Sequence, residues 1–301
     1  MAFQGTIPAT VRNVLTQNKP PVSCNDKNRQ NTSRRLDWPD IEFIEIWHEF
    51  SLDNLNNEYS HLLDCNLGND TTPPQAYQEL HGASINKLND INLLIGWNGA
   101  LMQATLNSSK AAFEHCKGLG LYHAYTTADK TTIASIEGSE RKIKVDHVIA
   151  LDKFPRRNLV IGLGKPSPKF SMGPIVRNGG CMRIVNSQHT LVLGQLGYMC
   201  KNADTPYGYI QTDQELVACY FKKNGDSGKY GAYVMPIPWS SHGPTVLTTD
   251  LALWWLCMKA LSPPIDPNDE YIEALGHPAY FPELDLNEIE NWKHEVFRDT
   301  Y

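Results

Sequence analysis

No stretch of this 301-residue chain approaches the ~18 uncharged apolar residues of a membrane helix, so no membrane span is expected. CxxC spacing is missing altogether. The seven cysteines (Cys24, Cys65, Cys116, Cys181, Cys200, Cys219, Cys257) are odd in number and dispersed, which argues against a zinc ribbon or a disulfide scaffold and favours a reducing compartment. The opening Met1 to Pro8 lacks a basic region followed by an apolar one, so no signal peptide is expected. Internal repeats are absent. Basic residues are not in excess: 27 Lys and Arg face 33 Asp and Glu, a net charge of −6 that does not suit a strong non-specific DNA binder. A soluble, cytoplasmic protein without a membrane partner is the expectation.

What is present is ordinary globular material, 41% hydrophobic and 20% charged, enough for a sizeable core. Residues 1–38 read as a flexible arm, because Asn18 to Arg35 is polar, carries Pro20-Pro21 and lacks apolar periodicity. Residues 39–301 read as a single α/β domain. A first helix is expected after Pro39 (Ile41, Phe43, Ile44, Trp47, Phe50), and a long one over Ala83–Leu106, loosened by Gly96 and Gly99. Strands are expected around Thr131–Glu137, Lys144–Leu151 and Asn158–Lys165, the last two joined as a hairpin through 152–157. A helix over Gln188–Lys201, strands at Tyr207–Thr212 and Leu216–Lys222, and a buried helix at Thr249–Leu261 before Pro263-Pro264 complete the order.

Charge is unevenly spread. Between Arg141 and Lys169 eight basic residues stand against Asp146 and Asp152, and from Asp266 to Asp299 ten acidic residues stand against Lys293 and Arg298. A local basic patch can therefore meet a phosphate backbone although the whole chain is acidic.

Asp146 on one strand and Lys165 at the end of its hairpin partner would share one edge of a sheet. On these residues, with Gln195-Leu-Gly-Tyr198-Met and Tyr207-Gly-Tyr-Ile-Gln-Thr after them, the chain resembles the PD-(D/E)XK nuclease-like superfamily, fungal members in particular. The resemblance covers about residues 80–262. It implies a nuclease-like core (helix, three-stranded meander, helix, strand) with added N- and C-terminal helices, Asp146 as the first acid and Lys165 as the lysine. Leu163 departs from the pattern, since a working nuclease has Asp or Glu two residues before the lysine. A divalent metal needs hard oxygen ligands, and Asp146 alone supplies few. Either a carboxylate comes from elsewhere (Glu79, Asp90 or Glu114), or the site no longer cleaves nucleic acid. No metal and no cofactor is expected. The plainest alternative makes Asp146 a turn cap and Lys165 a solvated strand end.

The overall pattern also resembles the fungal arginine-containing cyclodipeptide synthases. That implies arginyl-tRNA and a second aminoacyl-tRNA as partners, joined into a cyclic dipeptide. Such chemistry must orient two esters, take a proton from an α-amine and stabilise an oxyanion. Asp146, Lys165, Gln195 and Tyr198 are the catalytic candidates; the last two are three apart on an expected helix and share a face. Arg141, Lys142, Lys144, Arg156, Arg157 and Lys169 are the candidate nucleic-acid contacts. An arginine side chain would want a carboxylate, from Asp146, Glu79 or Asp90. Ser167, Ser171 and Cys181 are candidate nucleophiles for a covalent aminoacyl intermediate. His147 should point to the opposite face from Asp146 and be structural. Tyr207, Tyr209 and Trp239 could stack on bases, whereas Trp254 and Trp255 belong to the core. Gly162-Leu-Gly-Lys165-Pro-Ser167 is no phosphate loop, because its spacing is wrong and Pro166 follows the lysine. A metal-dependent nuclease and a non-catalytic nucleic-acid-binding module remain the other readings.

Overall fold

Thr10 opens the first helix, α1 (Val11–Leu15): its hydroxyl accepts the Asn13 N–H, one of the donors a helix start leaves unpaired. The computed structural model describes residues 9–27, 35–39, 41–68, 72–113, 116–127, 130–135, 142–152, 156–173, 181–183, 188–223 and 230–261. Val11, Val14, Leu15 and Val22 are buried in the core, so residues 9–27 are not the arm expected over 1–38. Lys19 explains the difference. Its ammonium lies 2.9 Å from Asp250 Oδ1, contacts the Thr249 hydroxyl and sits 4.3 Å from the Trp239 ring centroid. The Trp239 indole in turn donates to the Pro20 carbonyl. A polar segment can be buried once its charge is matched, and composition alone does not show the match.

Strand β1 (Ser23–Cys24) follows, then β2 (Ile41–Ile46). The segment after Pro39 is therefore a strand, not the expected helix. Ile-Glu-Phe-Ile-Glu-Ile fits either period, and β-branched residues with a ready sheet partner decide for the strand. Helix α2 (Leu52–Leu63) is capped by Ser51, and α3 (Ala76–Leu80) precedes β3 (Ser84–Ile85), which pairs in parallel with β1. The long helix expected from Ala83 begins only at α4 (Asn92–Ser109). Before it, Asp90 Oδ2 accepts the Asn86 and Lys87 N–H groups and holds Leu88–Ile91 as a 3-10 turn. Gly96 and Gly99 do not interrupt α4.

The remaining elements are β4 (Gly120–Tyr125), β5 (Thr132–Ser135), β6 (Lys142–Val145), β7 (His147–Asp152), β8 (Arg157–Gly164), β9 (Cys181–Arg183), α5 (Gln188–Asn202), β10 (Tyr207–Gln211), β11 (Glu215–Lys223), β12 (Tyr230–Pro238) and α6 (Thr249–Leu261). Eight strands form one sheet in the order β4-β7-β8-β10-β11-β12-β2-β9. The strands β4, β7 and β8 are an antiparallel meander, β10 joins β8 in parallel, and β2 joins β12 in parallel. The meander differs from the expected one. Its first strand is β4, whereas the Thr131 segment pairs with β6 in a separate ribbon. Asp146 also divides the expected strand 144–151 into β6 and β7.

Alternation along β7 and β8 sends side chains to two cores. Val148, Ile161 and Leu163 meet Val192, Leu193 and Leu196 of α5 on one face. Ile149, Leu151 and Leu159 meet α4 and α6 on the other, where Trp254 and Trp255 are fully buried. Burying each such apolar side chain contributes about 1.5–3 kcal/mol. The fold is thus a mixed α/β sheet covered by helices on both faces. Among the described residues no helix is long and apolar enough to cross a membrane.

Candidate functional site

Asp146 sits at the break between β6 and β7. Its carbonyl accepts the Thr126 N–H at 2.8 Å, and the Thr126 hydroxyl bonds to the Val145 carbonyl. Since His147 pairs with Gly162, the Asp146 carboxylate reaches the end of β8, where Oδ2 accepts the Gly164 N–H at 2.9 Å. Lys165 is the next residue, its own N–H continuing the ladder to the Gln211 carbonyl at 2.9 Å. Burial pushes the Asp146 carboxyl up, opposed by the Gly164 N–H and by the charge of Lys165. Burial likewise pushes the Lys165 ammonium down; Asp146 opposes this shift and Lys169 adds to it. The two groups act on each other electrostatically, though no ion pair within 4 Å joins them among the described residues. Leu163, where a nuclease would carry its second acid, is buried beneath α5.

Two acids that the sequence reading missed fix the loop after Lys165. Asp213, 1% exposed, accepts both the N–H and the hydroxyl of Ser167 at 2.7 Å. Glu215 Oε1 accepts the Met172 N–H at 2.8 Å, and burial pushes its carboxyl up against that bond and one from Ser171. Cys24 lies beside this cluster: burial chiefly raises its thiol, and the Asp213 carboxylate adds to the shift. The signal available in sequence was Thr212-Asp213-Gln214-Glu215 between two strands. Thr212 Oγ1 takes the Gln214 and Glu215 N–H groups, as turn hydroxyls do.

The other catalytic candidates lie on α5. Gln195 makes no hydrogen bond to Asp146 or Lys165, and its buried Oε1 has no partner among the described residues. The Tyr198 ring packs half-buried against the apolar cluster of Ile161 and Leu163. Cys181 belongs to β9, and its side chain lies outside the described residues, as do Glu114 and the acidic stretch 266–299.

Among the described residues the expected nucleic-acid contacts do not form one patch. Arg156 precedes β8 and the loop that carries Lys169 follows it, and the strand between spans about 23 Å at ~3.3 Å per residue. Arg157 donates to the Ala260 carbonyl at 2.8 Å, tying β8 to the end of α6, so that bond is structural. Arg156 stacks 3.7 Å over the Tyr122 ring and pairs with Asp152. Lys144 is exposed on the β5–β6 ribbon, and Lys169 is half-buried beside the Lys165 loop. Arg141 lies outside the described residues, and so does the side chain of Lys142.

No second carboxylate contributes to the shift at Asp146. Glu79 and Asp90 instead line a cleft of about 470 Å³ with Lys87, Leu93, Trp97 and Tyr125. Among the described residues no three His, Cys, Asp or Glu side chains are grouped to hold a metal ion.

On the opposite face, as its parity requires, His147 is fully buried with Nδ1 2.6 Å from the Tyr209 hydroxyl. Burial, reinforced by His123, lowers its pKa to about 3. Burial also pushes the Tyr209 hydroxyl far up, opposed by the nearby Asn98 amide, which donates to Gln211 Oε1 at 2.9 Å. This polar chain fits only because two glycines admit the rings. A Cβ on Gly162 would lie 2.6 Å from the Tyr209 ring, and one on Gly99 would lie 2.7 Å from His123 Nδ1. Tyr209 and Trp239 are buried in the core, which removes them as base-stacking surfaces. No family model matches the chain, and no curated protein or solved structure matches it either.

Proposed function

We propose that the chain is a tRNA-dependent acyl transferase that joins an arginyl and a second aminoacyl ester into a cyclic dipeptide, on a core of the PD-(D/E)XK nuclease-like kind. The observation that carries the reading is the approach of the Asp146 carboxyl to Lys165 at the shared edge of β7 and β8. The run α4, β4, β7, β8, α5, β10, with β10 parallel to β8, supports the nuclease-like core. Leu163 in the apolar core supports a reaction that does not rest on paired acids beside the lysine.

In this reading the α-amine of one ester attacks the carbonyl of the other. Forming the first amide breaks one ester and releases its tRNA 3′-hydroxyl; the free amine of the dipeptidyl ester then attacks the remaining ester carbonyl, closing the ring and releasing the second tRNA 3′-hydroxyl. Lys165, its ammonium destabilised by burial, either accepts the amine proton or, while charged, stabilises the tetrahedral oxyanion. Asp146 orients Lys165 and keeps part of its charge. Purified protein given a pool of charged tRNAs should yield a diketopiperazine by mass spectrometry, and Lys165→Met should abolish it. Product that survives ribonuclease treatment of the tRNA, or none with arginyl-tRNA present, would overturn the reading.

A second reading is favoured by the bond from the Gly164 N–H to Asp146, which is what a structural strand cap would make. A non-catalytic nucleic-acid-binding module would bind tRNA while Asp146→Asn and Lys165→Met change no turnover.

A further inference from the structure

We infer that the cleft between α3, the 3-10 turn before α4, α4 itself and the end of β4 is a binding site for a free α-amino acid with an apolar or aromatic side chain. The cleft holds about 470 Å³, within the range of small-molecule sites; Asp146 and Lys165 do not line it, although its Thr127 adjoins Thr126, whose N–H bonds to the Asp146 carbonyl. Its inner wall is apolar. Leu80 and Trp97 are buried there, Leu93 is 47% exposed, and the Tyr125 ring lies against Gly96, where a Cβ would come within 3.2 Å of it. Tyr77 and Leu88, on the same α3 and 3-10 elements, are also large exposed apolar residues, and such residues gather where a ligand or partner covers them.

The rim carries both signs of charge. Glu79 and Asp90 supply carboxylates and Lys87 an ammonium. Asp90 is pre-oriented, because its Oδ2 already accepts the Asn86 and Lys87 N–H groups at 2.9 and 3.1 Å. Those bonds go to one oxygen and leave Oδ1 without a partner among the described residues. They also set Lys87 on the same turn as Asp90. A simple amine would meet the two carboxylates but face Lys87 unpaired, and a simple carboxylic acid would have the reverse difficulty. A zwitterion satisfies both, with its ammonium toward Glu79 and Asp90, its carboxylate toward Lys87, and its side chain on Leu93, Trp97 and Tyr125. The rim amides Asn89 and Asn92 add hydrogen-bonding capacity of either sense.

An amino acid could arrive free or as an aminoacyl ester, and the free carboxylate separates the two. The full-length protein would be titrated to about 10 mM with phenylalanine, its methyl ester, phenethylamine and 3-phenylpropionate, following backbone amide shifts. Phenylalanine should bind tightest, about fivefold better than the ester, with shifts at Leu93, Gly96 and Thr127. Lys87→Met should bring phenylalanine and its ester to equal affinity. Glu79→Gln should weaken phenylalanine and phenethylamine but not 3-phenylpropionate. Both side chains are exposed, so neither variant threatens the fold. Equal affinity for all four probes, preference for the ester, or no shift in the cleft would overturn the inference. The probes carry no tRNA and are read by amide shifts, so a failure to bind them is distinguishable from a failure to form a diketopiperazine.

Discussion

Asp146 spends one carboxylate oxygen on the Gly164 N–H, 2.9 Å away, and so stands beside Lys165 without forming a direct ion pair. The acid is thus fixed by the backbone of the neighbouring strand, and the lysine meets a charge whose position is already set. Structural and chemical roles of Asp146 therefore separate by substitution. Asp146→Ala should destabilise the protein by about 1–3 kcal/mol, the cost of a half-buried N–H left unpaired. Asp146→Asn keeps an acceptor and should cost less. Urea unfolding of both variants checks the difference, and Asp146→Asn should further raise the share of neutral Lys165 at a given pH.

His147 should make the protein sensitive to acid. Its folded-state pKa is about 3, against an ordinary value of 6.5. Below pH 6.5 the unfolded chain binds a proton that the folded chain refuses, so stability falls as pH falls toward 3. The whole loss from this group is of order 5 kcal/mol. Unfolding measured from pH 7 to pH 4 should show the decline, and His147→Gln should flatten it.

Gly99 should tolerate no side chain. A Cβ there would stand 2.7 Å from His123 Nδ1 and 3.3 Å from His147 Nε2. Gly99→Ala should cost about 1–3 kcal/mol by crowding. His123→Ala should recover part of that cost, and a double-mutant cycle from thermal unfolding would register the coupling.

Lys19 should be among the most sensitive charged residues. Lys19→Met leaves the Asp250 carboxylate buried with no opposite charge, a loss of about 3–5 kcal/mol. Adding Asp250→Asn should return much of it, as read by denaturant midpoints.

Elements with one dominant period could be read directly. Helices α5 and α6 and strands β8, β10 and β11 fall where apolar spacing puts them. Strand β2 was misread because its isoleucines satisfy two periods, and only pairing with β12 decides between them. Strand β4 was overlooked because an edge strand of Gly, Leu, Tyr, His and Ala, mostly half-buried, lacks a strong alternation. The acid and lysine of the candidate site were visible as a pair flanking a hairpin. Asp213 and Glu215 were not, since acids in a turn look solvated until the loop they hold is folded over them. Arg157 counted as a nucleic-acid contact because its partner, a helix-end carbonyl 103 residues away, leaves no trace in local sequence.

The ion pair between Lys19 and Asp250 spans 231 positions of the chain. During synthesis the ammonium emerges 231 residues ahead of its counter-charge, so the segment that carries Lys19 cannot settle until α6 has left the ribosome. Docking of these two segments is then a late, long-range event of the sort that slows folding. Any product cut short before α6 would carry an unneutralised lysine and an uncovered apolar sheet, the marks by which quality control recognises an unfinished chain.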